Sequence, residues 1–447
     1  MTDLWKKDPV MQDVLAGRET AWVNPYLLPF HMVDGLSQLT VGDGDIADAE
    51  ARLARFAPFI RKRFPETEVT DGLIESPLQE IEGMRQALIE RYGCEIPGKL
   101  LLKMDSHLAI AGSVKARGGI YEVLKHAEDL AEQNGLISRS DNYEKFAEPE
   151  MREFFGRYTV QVGSTGNLGM SIGIMSAALG FRVKVHMSAD AKQWKKELLR
   201  SHGVEVIEYA DDYSRAVAEG RRLSDTDPTS YFVDDEKSKD LFLGYAVAAG
   251  RLRQQLAEQG IVVDKEHPLI VYIPAGVGGA PGGVSYGLKR LYGDLVHCFF
   301  VEPTLYPSVL MGIATQKFEQ ANVHDYGLHG LTAADGLACA SPSSLVTRLM
   351  TNHLAGEFTV EDGKLYDYMR LLYASEQIKV EPSGCAAFAG PCGLLAYENS
   401  REYCEAHRLT ESRLANATHI AWVTGGRMVP EAVMEEYLNT YLSKKND

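Results

Sequence analysis

The chain has 447 residues, 45% hydrophobic and 24% charged, enough to bury a large core in one large or two medium domains. Its net charge of −16 and pI near 5.3 argue against a general affinity for nucleic acid or an anionic membrane surface, since both need cationic patches. An anionic ligand must therefore be held by local dipoles and a few placed groups.

Met1 to Arg18 mixes charges with short apolar pieces and lacks the apolar run of a signal peptide, and no window is long and apolar enough to span a bilayer. Cys94, Cys298, Cys339, Cys385, Cys392 and Cys404 are scattered, with no C-x-x-C pair and no metal-finger spacing. Reduced, mostly buried thiols of a cytoplasmic protein are expected. Up to about Pro97 the segment is mixed, with helices expected over Ile46 to Arg63 and Pro77 to Tyr92 and no catalytic pattern. Trp22-Val23-Asn24-Pro25 and Pro29-Phe30 suggest a packed extension. Lys99 to Met104 reads as a strand.

Next comes Gly112-Ser113-Val114-Lys115-Ala116-Arg117-Gly118-Gly119, a lysine among glycines at the start of a helix whose apolar residues follow at Ile120, Val123 and Leu124. A primary amine held in a cleft there can form a Schiff base with a carbonyl. Glu132 to Glu150 is polar and acidic and reads as a surface connection.

From Tyr158 the pattern becomes strand, loop and helix in alternation. Strands are expected over Tyr158 to Val162, Arg182 to Met187, Val204 to Tyr209, Ser230 to Val233, Leu269 to Ile273 and Val296 to Val301. Helices are expected over Leu168 to Leu179, Lys192 to His202, Tyr213 to Leu223 and Leu241 to Gln259. The strongly apolar runs are those of parallel strands covered on both faces. The alternation implies an open α/β fold with its ligand at the carboxyl ends of strands.

Three loops lie where that architecture places ligands. Val162-Gly163-Ser164-Thr165-Gly166-Asn167-Leu168-Gly169 follows a strand and opens a helix, so backbone N–H groups and two hydroxyls suit a carboxylate or phosphate, while Asn167 adds an amide. Ile273-Pro274-Ala275-Gly276-Val277-Gly278-Gly279-Ala280-Pro281-Gly282-Gly283-Val284 lacks both the P-loop pattern and the third glycine of a dinucleotide fingerprint, and fits a monophosphate cradle better. Ile420-Ala421-Trp422-Val423-Thr424-Gly425-Gly426 ends the last strand with a hydroxyl that can meet a heteroaromatic nitrogen. An amine for a carbonyl, a cradle for a phosphate, an amide for a ring hydroxyl and a hydroxyl for a ring nitrogen together describe pyridoxal 5′-phosphate (PLP).

With these motifs the sequence resembles the fold-type II (tryptophan-synthase-β-like) PLP enzymes, and among them the bacterial D-serine dehydratases (D-serine ammonia-lyases). The resemblance runs over nearly the whole chain and includes Thr20 to Pro25, Gly112 to Leu124, Gly163 to Gly169, Asp234-Asp235-Glu236, Gly276 to Val284, Thr332 to Ala338 and Thr424 to Gly426. It implies two open α/β domains with the active site in the cleft between them: a large PLP-binding domain from 98–125 and 245–447, a smaller substrate-closing domain over 126–244, and an N-terminal extension over 1–97 packed on the large domain.

The same resemblance assigns Lys115 to the cofactor Schiff base, Asn167 to the ring oxygen, and Gly276, Val277, Gly278, Gly279 and Ala280 to the phosphate. Ala280 stands where relatives often have another glycine. Thr424 faces the ring nitrogen and, being neutral, should leave it unprotonated, which favours prompt loss of a β-hydroxyl over transamination. Freed Lys115 becomes the general base at Cα. Ser164, Thr165, Gly166 and Asp235 are substrate-binding candidates, and Thr165 or the cofactor phosphate is the candidate donor to the leaving hydroxide. Glu302 resembles the family's cation-site glutamate, implying bound K+ or Na+. The implied activity is conversion of D-serine, with D-threonine as a second substrate, to a keto acid and ammonia by a monomeric lyase.

The residues alone do not fix the enantiomer, which is carried by the resemblance. They leave open an L-serine/L-threonine dehydratase, a β-replacement synthase of the same fold, or a nucleotide-binding α/β protein without PLP.

Overall fold

Eleven strands run along the computed structural model, which describes residues 4–33, 41–164, 166–189, 191–210 and 213–442. They are β1 (Ala21–Val23), β2 (Leu78–Glu80), β3 (Lys99–Met104), β4 (Thr159–Gly163), β5 (Arg182–Ser188), β6 (Glu205–Tyr209), β7 (Ser230–Val233), β8 (Leu269–Pro274), β9 (Val296–Pro303), β10 (Gly356–Val360) and β11 (Thr418–Val423). The helices that matter for the site are α1 (Asp43–Arg63), α2 (Lys115–Gln133), α3 (Asn167–Leu179), α4 (Gln193–Ser201), α5 (Lys239–Ala246) and α6 (Gly279–Tyr292).

The strands form two sheets, each in its own packing unit. The first unit comprises 1–40, 76–107 and 248–447, and its sheet runs β1-β10-β9-β8-β11-β3-β2. Its five inner strands are parallel, and β1 and β2 close the edges antiparallel, with Ala21 opposite Phe358 and Gln79 opposite Leu102. β8, β9 and β11 are buried at every residue, as strands covered on both faces must be. Polar groups within this core are paired: Trp422 Nε1 donates to Asp105 at 2.8 Å, and the buried Lys103 ammonium donates to Ser76 O and Gln255 Oε1, each at 2.7 Å.

The second unit comprises 41–75 and 108–247, with an all-parallel sheet in the order β6-β5-β4-β7. Helix α2 packs on α3 and α5, and α1 reaches it through a buried ionic cluster. There the Glu128 carboxylate accepts from Arg52, from Arg55 at 2.7 Å and from Tyr143 Oη at 2.6 Å, beside the rings of Phe56 and Phe146. These contacts explain why the division by packing differs from the expected one. Residues 108–125, with Lys115, and 41–75 group with 126–247, not with the large sheet.

Most expected elements lie within a few residues of the observed ones. Three strands have no counterpart in the expectation: β1, β2 and β10. The helix expected from Leu241 to Gln259 is two, Lys239–Ala246 and Ala248–Glu258, and the one expected from Pro77 begins only at Glu82, after β2. Among the described residues no helix is long and apolar enough to cross a membrane, and none of the six cysteines is in a disulfide.

Candidate active site

In the second unit Lys115 is the first residue of α2, reached through a strained approach. Ile110, β-branched and buried, has φ of 75°, and Gly112 follows at 57°. A branched side chain in the left-handed region costs on the order of 1–3 kcal/mol, a strain found where surrounding structure dictates the chain path. The glycines after the lysine permit close packing. A Cβ on Gly118 would stand 2.5 Å from the Tyr245 ring on α5, and one on Gly119 2.5 Å from Ser171 Oγ on α3. Gly119 and Ser171 lie one turn beyond Lys115 and Asn167, so the two helices bring their first turns side by side.

The Lys115 ammonium lies 5.9 Å from the Tyr245 ring centroid. Arg117, two residues on and facing the other side of α2, is fixed by Glu75 through hydrogen bonds of 3.0 and 2.5 Å. Ser113 Oγ, two residues before Lys115, is buried with no hydrogen-bond partner among the described residues.

The 163–169 loop leaves the carboxyl end of β4 and opens α3. Ser164 Oγ accepts from Gly166 N–H at 3.2 Å and Gly169 N–H at 3.0 Å, so this hydroxyl shapes the turn. Asn167 is half-buried at the first position of α3. Thr165 lies outside the described residues. Asp234 organises its own loop, accepting from Glu236 N–H at 3.2 Å and pairing with Arg221 at 2.8 Å, with half-buried Asp235 next to it.

In the first unit the other two loops leave the carboxyl ends of neighbouring parallel strands, β8 and β11. Gly278 has φ of 107° and caps α6, whose first residues are Gly279 and Ala280. A left-handed residue followed by a helix start aims successive N–H groups into one concavity, the geometry of an anion cradle. Gly276 is closely packed: a Cβ there would meet Gly336 O and Leu337 Cα at 3.1 Å and Cys339 Sγ at 3.2 Å. Gly336 N–H donates to Ser383 Oγ at 3.1 Å, and the Ser383–Gly384 turn packs on Gly425. The cradle and the buried Thr424 are thereby linked inside one unit.

Glu302, at the carboxyl end of β9, is fully buried and accepts from Val309 N–H at 2.9 Å and Leu310 N–H at 3.0 Å. Beside it on β10 is Glu357, also fully buried, to which no N–H or hydroxyl among the described residues donates. Burial pushes Glu302 up to about 7 and, with Glu302 as neighbour, raises Glu357 further.

Another buried acid, Glu122, lies two turns along α2 from Lys115. It accepts from Tyr231 Oη at 2.8 Å and from Ser238 Oγ, and burial pushes it up to about 7. Neither Glu122 nor Glu357 stands out in the sequence. Glu122 lies off the helix face that carries Ile120 and Val123, so its place in the pattern gives no signal, and Glu357 lies in a strand the pattern missed.

Residues 69–402 match the sequence profile of the pyridoxal-phosphate dependent enzymes. The chain belongs to this family. The glycine cradle, the N–H-rich turns and the unpartnered Ser113 hydroxyl suit a small anionic cofactor of that kind. A protein of Fusobacterium nucleatum subsp. nucleatum named "Probable D-serine dehydratase" is 57% identical over 435 residues, covering 97% of this chain and 98% of that protein. One of Halalkalibacterium halodurans with the same name is 55% identical over 433 residues, 97% of each chain. The crystal structure of Escherichia coli diaminopropionate ammonia lyase in complex with D-serine superposes with a TM-score of 0.70 at 18% identity, over 94% of this chain and 97% of that one. This likeness shows the fold, that of the fold-type II PLP enzymes.

Proposed function

We propose that the protein is a D-serine ammonia-lyase, converting D-serine to pyruvate and ammonia with PLP. The observation that carries this is the near-full-length similarity, above half identity, to proteins named for that activity. When bound, PLP supplies an aldehyde for the substrate amine and a conjugated ring that withdraws electrons from Cα.

The chain's own contributions are positional and protonic. Lys115 Nζ holds the cofactor aldehyde and later takes the proton from Cα. Gly276, Val277, Gly278, Gly279 and Ala280 hold the phosphate by their N–H groups, Asn167 the ring oxygen, and Thr424 Oγ1 the ring nitrogen. Ser164, Gly166 and Asp235, with Thr165, orient the substrate, and Thr165 is the proposed proton donor at the leaving oxygen. The strained approach to Lys115 and the cradle around Gly278 support these assignments. The smaller domain is proposed to close over substrate.

A monovalent cation, K+ or Na+, is proposed at Glu302, where it would neutralise the buried pair with Glu357. A monomeric, cytoplasmic enzyme that also takes D-threonine completes the reading.

Borohydride reduction followed by peptide mapping tests the cofactor assignment: a pyridoxyl mass on Lys115 is expected, and its absence refutes the assignment. Pyruvate released from D-serine and not from L-serine, with or without an added thiol, tests the reaction against the L-specific and β-replacement alternatives. Removing K+ and Na+ by dialysis should lower activity if the cation reading holds.

A further inference from the structure

The Glu122 carboxyl on α2 takes one hydrogen bond from each end of the loop that carries Asp235. Tyr231, on β7 ahead of that loop, donates from Oη to Oε1 at 2.8 Å. Ser238, just after it, donates from Oγ to Oε2. The Tyr231 ring also lies on that of His126, one turn further along α2, with centroids 4.1 Å apart and planes 15° from parallel. Helix α2 thus holds the entry to the loop by two contacts and its exit by one.

Between these ties the loop is closed on itself. Asp234 O accepts from Lys237 N–H at 3.2 Å and Ser238 N–H at 2.9 Å, while Asp234 Oδ1 accepts from Glu236 N–H at 3.2 Å. A turn so closed moves as a piece, and its place is set by what its two ends are tied to. The same helix begins with Lys115, two turns before Glu122, so one rigid element carries both the amine and the strut for Asp235.

The residue type at 122 follows from the two donors. Ser238 Oγ already accepts from Leu241 N–H at 3.0 Å, so its own proton goes to Glu122, as that of Tyr231 does. A carboxyl group offers two acceptor oxygens to such a pair, and an amide offers one. Packing alone at a position 2% exposed would be served at lower cost by an apolar side chain. What the acid adds is the pair of ties.

We infer that Glu122 is a positioning residue for the reaction: through Tyr231 and Ser238 it fixes the place of Asp235 relative to Lys115. This rests on the reading of Asp235 as a substrate-binding residue of a D-serine ammonia-lyase.

The test measures kinetics of the PLP-loaded enzyme with D-serine and hydrogen exchange in the substrate-free protein. Tyr231→Phe keeps the ring on His126 and removes one tie, and Glu122→Gln leaves one acceptor for two donors. Each should lower kcat/KM about threefold to tenfold, the scale of one hydrogen bond. In each, the amides of 234–238 should exchange faster while those of β4 and β5 keep their wild-type rates. Added to Asp235→Asn, either substitution should change kcat/KM little further, because it acts through Asp235. Thermal melting reports folding, and Tyr231→Phe stands alone where Glu122→Gln does not fold.

Wild-type kcat/KM in the folded variants overturns the inference, as does an Asp235→Asn enzyme as active as wild type. So do losses that add in full to that of Asp235→Asn, or faster exchange throughout the β4–β7 sheet, both marks of a merely structural role. A wild-type enzyme that releases no pyruvate from D-serine overturns the functional reading and this inference together, whereas an active wild type with any of the preceding outcomes overturns the inference alone.

Discussion

Replacing Glu122 by Gln should change how stability depends on pH more than it changes stability at any one pH. Glu122 is fully buried on the helix that begins with Lys115, and desolvation is the largest influence on it; hydrogen bonds from Ser238 and Tyr231 pull the other way, and Asp240 adds to the rise. The net effect is a carboxyl at about 7 when folded, against an ordinary 4.5. Below pH 4.5 the group is protonated in both folded and unfolded chains, and its contribution is fully present. Between 4.5 and about 7 the folded chain keeps a proton that the unfolded chain has lost, so stability falls as pH rises. At about 1.4 kcal/mol per pH unit the loss across this window amounts to about 3 kcal/mol. Gln cannot ionise, and its carbonyl oxygen can still accept from one of Tyr231 and Ser238, which reach different oxygens of Glu122. Any cost of seating its NH2 is independent of pH and shifts the difference between the proteins without tilting it. Urea unfolding of both, followed by circular dichroism from pH 5 to pH 8, should show wild type losing ground to Glu122→Gln as pH rises. Parallel curves would refute the assignment of a buried, proton-holding carboxyl.

Gly278→Ala should weaken cofactor binding, because the left-handed backbone costs about 1–2 kcal/mol for a residue with a Cβ, which would also stand 3.0 Å from Val346 Cγ1; loss of the visible cofactor band on dilution would measure it, and wild-type retention would contradict it. Glu357→Gln should remove the carboxyl that burial and Glu302 together raise most, while Glu302 stays raised by its own burial. The loss of stability that wild type shows as pH rises through about 7 should then diminish in this variant's denaturation profile. Arg52→Met should cost about 3 kcal/mol, the low end for breaking a buried ion pair because Arg55 and Tyr143 still reach Glu128. Adding Glu128→Gln should recover much of that, as read from urea midpoints at pH 7.

What the sequence made legible follows from which physical constraints leave a local mark. Parallel strands covered on both faces must be apolar throughout, so β8 and β9 announce themselves as runs, and β4 to β7 as pieces of a regular alternation. Edge strands of three residues, Ala21–Val23 and Leu78–Glu80, are too short for any period, and their partners are fixed by tertiary contact. β10 is hidden for a different reason: Gly356 and Glu357 break its apolar run, yet both are buried. The break at Val247 leaves no trace either, since no proline or glycine marks it and the apolar spacing continues across it.

The site divides along the same line. Helix-start turns after strands need glycine and hydroxyl residues in consecutive positions, so the turns that open the helices at Asn167 and Gly279 could be read directly. Buried acids carry no such signature. Glu122, Glu302 and Glu357 have the letters of surface charges, and only the closed surroundings that deny them water reveal the difference. The lysine segment shows both sides. Its glycines mark a special backbone, but that Gly118 and Gly119 exist to admit Tyr245 and Ser171 emerges only from the helices they touch. Those contacts also explain why Lys115 groups with the β4–β7 sheet: a helix that accepts two others at its first turns cannot be divided from them, whatever the order of strands suggests.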